Sequence, residues 1–143
     1  MNTTGIRLII DTNIIIAIIG KKSPFRWIFD NIINGDFILC VSSDIIYEYR
    51  EIMLQKNGKV VSDNFYNFLT IHPYVENYHI YYNFNLITQD PSDNKFVDCA
   101  IASNAICVVS NDSHFKVLNE IDFPKVTVLT LHEFEQQFKA INK

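Results

Sequence analysis

Four short runs rich in β-branched and apolar residues recur along the chain: Ile6–Ile10, Phe37–Val41, Ile106–Val109 and Val126–Leu129. The first three read as strands buried on both faces, which requires helices above and below the sheet, and Val126–Leu129 reads as a fourth strand. The segments between them carry helix punctuation, and strands alternating with helices predict a parallel arrangement. The expected fold is α/β, a three-layer sandwich with a central, mostly parallel sheet of four to five strands.

The punctuation places the helices. Ser23-Pro24 opens one that Gly35 closes after Asn34. Ser42-Ser43 caps another running to about Gln55, with Asn57-Gly58 as its stop. Asp93 stands as N-cap of a helix from Asn94 to about Asn104, and Thr130-Leu131-His132-Glu133 has capping-box spacing. Residues 57–88 offer no motif. With no repeat, low-complexity tract or linker, residues 1–143 are expected to form one domain. At 48% apolar and 20% charged residues the chain is unlike a disordered segment. Its length buries roughly 70% of the unfolded surface, so no disulfide or metal is needed to hold it. Cys40, Cys99 and Cys107 show no ligand spacing and each lies in an apolar run, which predicts buried free thiols and a reducing compartment. The apolar stretch 6–19 is interrupted by Asp11, Thr12 and Asn13 and is too short for a bilayer. It also lacks a basic start and a cleavage site, so a cytoplasmic protein without membrane contact is expected.

Ligands of open parallel sheets bind beyond the carboxyl ends of the strands. Asp11 stands at that end of the first run and Asp112 just past the third. Glu48 lies at the border of the apolar face formed by Ile45, Ile46, Tyr49, Ile52 and Met53, whereas Glu51 points further out. Asp98 sits in a helix whose other positions are mostly apolar or small. A carboxylate there is costly unless paired, protonated or bound to a cation. Four acids gathered at one end of a sheet repel one another unless a hard cation neutralises them, and Mg²⁺ or Mn²⁺ accepts such oxygen ligands. One or two such ions polarise a phosphodiester without any Ser, His or Cys nucleophile.

Ile9–Asn13, helical Glu48, the stretch Asp90–Ala100 and Val108–Asp112 together resemble the PIN-domain family, over about residues 6 to 130. The subgroup is the one usually described as the toxin component of a toxin–antitoxin system, related to VapC-type ribonucleases. The resemblance implies a metal-dependent endoribonuclease with Asp11, Glu48, Asp98 and Asp112 as its acidic quartet. Asn13 and Ser110 match positions that orient the first and last acids, and Asp93 matches an additional acid of this subgroup. Similar sequences often carry a second acid two residues after the Asp112 position. Here His114 stands in its place, which removes an outer metal contact or substitutes a neutral imidazole.

An RNA substrate needs positive charge at the site. Lys21, Lys22 and Arg26 follow the first run, Lys95 precedes Asp98, and Lys116 follows Asp112. These five are the expected RNA contacts. Between Val60 and Asn94 there is no Lys or Arg but eight Phe and Tyr residues. That composition favours core packing, or a surface for a homodimer or an antitoxin protein, over base stacking. The rival reading is a PIN-like module that binds RNA or protein without cleaving it. The net charge of −4 does not oppose an RNA partner, because four of the sixteen acids are assigned to metal.

Overall fold

The computed structural model describes residues 5–139, and the ends of the expected domain, 1–4 and 140–143, lie outside the described residues. Its centre is a five-stranded, all-parallel sheet in the order β3-β2-β1-β4-β5. The strands are β1 (Ile6–Ile10), β2 (Phe37–Val41), β3 (Val75–Asn77), β4 (Cys107–Val109) and β5 (Val128–Leu129). The helices are α1 (Thr12–Ile19), α2 (Arg26–Asn34), α3 (Ser43–Asn57), α4 (Lys59–Ile71), α5 (Asn94–Ser103) and α6 (Leu131–Phe138). No helix among the described residues is long and apolar enough to cross a membrane.

Both faces of the sheet are covered, as the unbroken apolar runs require. Every residue of β2 is buried, and Leu8, Ile9 and Ile10 are fully so. Phe37 meets Trp27 of α2 and Phe134 of α6, with ring centroids 6.1 and 5.4 Å away. Cys40, three residues on and therefore on the opposite face, lies against Ser103 of α5. Burial pushes the thiols of Cys40, Cys99 and Cys107 up to about 12, and all three are free. They are small core residues, as their sequence setting predicts.

The chain first builds outward from β1 through β2 to β3, then returns to the other side of β1 with β4 and β5. The order therefore reverses between β1 and β4, where adjacent crossovers diverge and leave a crevice. Leu8 is in register with Leu39 on one side and Cys107 on the other, and Ile10 pairs with Val109. Asp11 and Ser110 are the next residues of these two strands, at the crevice itself.

Several boundaries differ from the sequence expectation. α1 begins immediately after Asp11, inside the apolar stretch that carried no punctuation of its own. The Ser23 hydroxyl donates to Ala17 O (2.6 Å) and accepts from Phe25 N (3.0 Å), making a turn, so α2 starts only at Arg26. Residues 59–71 and 75–77 form α4 and β3. β3 ends the sheet on that side, and its expected signal was absent because it has only three residues. β5 holds Val128–Leu129, shorter than the expected 126–129. The α6 capping box forms as expected, with Thr130 Oγ1 accepting from Glu133 N at 3.1 Å and Glu133 Oε1 from Thr130 N at 2.9 Å.

Candidate metal centre

The end of β1 is held firmly. Tyr49 of α3 is fully buried and donates its hydroxyl to Ile10 O, so the helix that carries Glu48 is tied to the strand that delivers Asp11. Burial holds that phenol protonated, far above its ordinary range. Asp11 itself is 7% exposed. Its Oδ1 accepts from Thr12 N and its Oδ2 from Ser110 Oγ, both at 2.8 Å. Ser110 Oγ also accepts from Asp112 N at 3.0 Å, so one hydroxyl positions the acids of both central strands. Burial raises the Asp11 pKa, the neighbouring Glu48 and Asp112 add to the rise, and the two hydrogen bonds oppose it.

Glu48 enters from α3 with both oxygens engaged. Oε2 accepts from Thr12 Oγ1, and Oε1 lies 2.7 Å from Lys95 Nζ. The same ammonium donates to Ser92 O at 2.7 Å. Lys95 is therefore not a free RNA contact. It is a counter-ion tethered inside the acidic site.

Asp93, at the N-cap of α5, is coupled to Asp11 and Asp112, whereas Asp98, within α5, lies elsewhere. Five residues along a helix turn a side chain by about 140°, so the two point to different sides. Asp98 is 5% exposed, its Oδ1 accepts from Phe84 N at 3.1 Å, and it lines a separate cavity with Tyr78, Tyr81 and Phe84. Burial raises its pKa and the Phe84 N–H opposes that. Its role is to pin the irregular segment 78–90 to α5. Asn94 does the same through bonds to both Ile87 N (2.9 Å) and Ile87 O (2.8 Å).

Asp93 occupies the N-cap position but makes no capping hydrogen bond, because α5 is entered directly from the 3₁₀ turn Pro91–Asp93. Asp90 caps that turn, accepting from Ser92 N and Ser92 Oγ at 3.2 and 2.6 Å. The Asp93 carboxyl is left free for the crevice. It is 8% exposed and its pKa is pushed up to about 6, first by burial and then by Asp112, Asp90 and Asp11, with His114 pulling the other way. Asp11, Glu48, Asp93 and Asp112 thus lie near one another at the carboxyl end of the sheet, Asp11 coupled to Glu48 and Asp112, and Asp93 to Asp11 and Asp112. Neighbouring carboxylates of this kind suit a hard divalent cation.

The remaining expectations divide. Ser110 orients Asp11 and Asp112 as described. Asn13 is exposed and accepts from Lys56 Nζ at 3.5 Å, so it does not orient Asp11; Thr12 performs the local bonding instead. Arg26 donates to Ile19 O (2.6 Å) and Asp30 (3.0 Å) and lies over Phe29, which commits it to joining α1 and α2. Lys21 and Lys22 are exposed in the α1–α2 connection, separated from Asp11 by the length of α1, about 12 Å. Lys116 is exposed and lines two clefts that flank the site, of about 520 and 280 Å³. Among the described residues it is the only Lys or Arg lining either. Thr12 and Asp90 were not among the expected site residues, and His114 stands where similar sequences often carry a further acid. The signal for Asp90 was the run Asp90-Pro91-Ser92-Asp93, whose Pro marks a turn able to aim two acids together.

The fold is shared with solved structures of low sequence identity. VapBC2 from Rickettsia felis, solved bound to a DNA fragment from their promoter, superposes with a TM-score of 0.60 at 17% identity, covering 87% of this chain and 98% of that one. The PIN domain endonuclease Utp24 gives 0.51 at 18% identity, with 87% and 84% covered. The T. brucei RRP44 PIN domain gives 0.51 at 14%, with 98% and 83% covered. Among curated proteins none is similar enough to count as a match. Residues 7–114 match the PIN domain family, a span that runs from β1 past the last acid of the crevice, and the chain belongs to that family.

Proposed function

We propose that this PIN domain is a metal-dependent endoribonuclease and the toxin of a type II toxin–antitoxin pair, acting as one domain over residues 1–143 in the cytoplasm. The observation that carries the nuclease reading is the convergence of Asp11, Glu48, Asp93 and Asp112 from four separate segments at the β1/β4 switch point. The first, third and fourth are mutually coupled through their charges. Their oxygens would hold one or two Mg²⁺ or Mn²⁺ ions. When bound, such ions supply Lewis-acid polarisation of a phosphodiester and make water a better nucleophile at neutral pH.

The chain's own residues do the positioning. Ser110 fixes Asp11 relative to Asp112. Thr12 and Lys95 fix both oxygens of Glu48. Lys116, between the two flanking clefts, is the group that would meet the RNA backbone, and Lys21 and Lys22 extend the positive charge beyond α1. The toxin assignment rests on the sequence resemblance and the fold likeness to VapBC2, and it implies an antitoxin protein as partner. Tyr81 and Tyr82, 92% and 66% exposed, are candidate contacts for that antitoxin or for a second copy of the chain.

The test incubates the purified protein with a panel of structured RNAs in Mg²⁺ or Mn²⁺, beside Asp11→Asn. Cleavage by the wild type, abolished in the variant and in chelator, is expected. Equal cleavage by both proteins, or RNA retention without cleavage throughout the panel, refutes the catalytic reading, and the latter outcome establishes a binding module.

A further inference from the structure

Beside the four-carboxylate crevice, Asp90, Asp93 and His114 each offer a ligand atom, all within 4.8 Å of one another. His114 Nδ1 lies 3.5 Å from Asp93 Oδ2 and 3.9 Å from Asp90 Oδ2, and 3.3 Å from Asp112 Oδ1. Two of these atoms are orphans. Asp93 Oδ2 and His114 Nδ1 are buried and neither makes a hydrogen bond, although a buried polar atom without a partner is costly. Asp93 is 8% exposed, and its buried Oδ2 is turned toward this point. Asp90 Oδ1 is already satisfied by Ser92, which fixes the carboxyl and leaves Oδ2 facing the imidazole. The imidazole is held in turn, since His114 N donates to Asp112 Oδ1 at 2.9 Å at the start of the 3₁₀ segment Ser113–Glu120.

We infer that Asp90, Asp93 and His114 form a second metal position, one that takes a divalent transition metal through a nitrogen and two carboxylate oxygens. The ligand types decide the class. Mg²⁺ demands oxygen and dehydrates reluctantly, whereas imidazole suits first-row transition ions, and affinity for a mixed N/O set rises along that series. The neutral tautomer with its proton on Nε2 presents the Nδ1 lone pair to the ion. Because Asp93 belongs to both groups, the inference rests in part on the nuclease reading. It adds a distinct claim, that this chain discriminates Mn²⁺ from Mg²⁺ through His114.

The test loads the full chain with Mn²⁺ and records electron paramagnetic resonance with spin-echo detection of nitrogen coupling, alongside calorimetric titration with Mn²⁺ and Mg²⁺. The wild type is expected to show nitrogen coupling that persists in Asp11→Asn and disappears in His114→Ala. The histidine substitution should weaken Mn²⁺ binding about tenfold or more and change Mg²⁺ binding by less than about threefold. Asp90→Asn should weaken Mn²⁺ binding while keeping the coupling. His114→Gln serves in place of the alanine variant if that one does not fold. No Mn²⁺ binding, no nitrogen coupling in a loaded wild type, coupling that survives loss of His114, or equal loss of both metals overturns the inference. Nitrogen-coupled Mn²⁺ in a protein that cleaves no RNA refutes the nuclease reading and leaves this site standing; cleavage without the coupling does the reverse.

Discussion

Asp93→Asn separates the stability of this fold from its chemistry, because the change keeps the shape of the side chain and removes its charge. In the folded chain the Asp93 pKa is pushed from 3.8 up to about 6, chiefly by burial. Ionising it there costs about 3 kcal/mol more than in the unfolded chain, at 1.36 kcal/mol per pKa unit. The sign follows from proton binding. Between pH 4 and 6 the folded state holds a proton that the unfolded state has released, so stability increases as pH falls through 6 and the penalty is fully present above it. Asparagine escapes the penalty and places an amide donor beside the oxygens of Asp112 and Asp90, offset partly by the polar group it still buries. A net gain of about 2 kcal/mol is expected at pH 7.5 in EDTA, or about 4–8 °C in Tm for a domain of this size. Thermal unfolding of both proteins at pH 7.5 and pH 4.5 measures it. The variant should melt higher at pH 7.5, the gap should narrow at pH 4.5, and saturating Mn²⁺ should reverse the order by stabilising only the wild type. A variant that folds but melts at or below the wild type in EDTA at pH 7.5 refutes the reasoning.

Lys95→Met removes the counter-ion 2.7 Å from Glu48 and should destabilise the metal-free protein by about 1–2 kcal/mol. Divalent metal should then raise Tm by more than it does in the wild type, which paired melts with and without Mg²⁺ would show. Asp98→Asn keeps an oxygen for Phe84 N and should leave RNA cleavage within about threefold of the wild type, whereas Asp112→Asn should abolish it in the same gel assay. Lys116→Ala should weaken RNA binding alike across sequences and lower the slope of log K against log salt by about 0.7–0.9; an unchanged slope in a filter-binding series would remove Lys116 from the RNA surface.

The fold was legible where burial wrote itself into composition. Ile6–Ile10 and Phe37–Val41 could only be strands covered on both faces, and their boundaries hold to the residue. α1 was hidden because Asp11 is both a site acid and the cap of that helix, accepting from Thr12 N. The apolar residues that follow look like a continuation of β1. α4 is amphipathic but follows α3 after a single residue, Gly58, at φ +90. That glycine reads as an end and is also a beginning. The acids divide in the same way. Asp11, Glu48 and Asp112 follow from strand ends and a helix face, which are local properties. Asp98 looked functional because a carboxylate amid apolar neighbours needs a partner. Its partner is the N–H of Phe84, in an irregular segment for which the sequence offers no period. Asp93 read equally as a cap and as an additional acid of the resembled subgroup, and the preceding 3₁₀ turn releases its carboxyl from capping.

Neutralisation across the crevice is uneven, and the unevenness marks where a cation would act. Asp11 accepts two hydrogen bonds, Glu48 has a hydroxyl and an ammonium, and Asp90 has Ser92. Asp93 alone of the gathered acids keeps a buried oxygen with no donor, facing an imidazole nitrogen in the same condition. Two unsatisfied ligand atoms 3.5 Å apart hold free energy that water or a proton recovers only in part, and a metal ion held by both residues would recover both terms together. Lys95 has the complementary role, supplying one positive charge to Glu48 so that the fold survives without metal. The two substitutions should therefore move metal-free stability in opposite directions, upward for Asp93→Asn and downward for Lys95→Met, although both alter the charge of the same crevice. In a crevice of four acids and one lysine a general effect of total charge gives the same two directions, so the salt response separates the two accounts: a total-charge effect would be weakened alike by salt in both variants. Local ligand strain predicts instead that Asp93→Asn is insensitive to salt while Lys95→Met is partly rescued by it, because screening acts on the exposed side of Glu48 and not on the buried oxygen of Asp93.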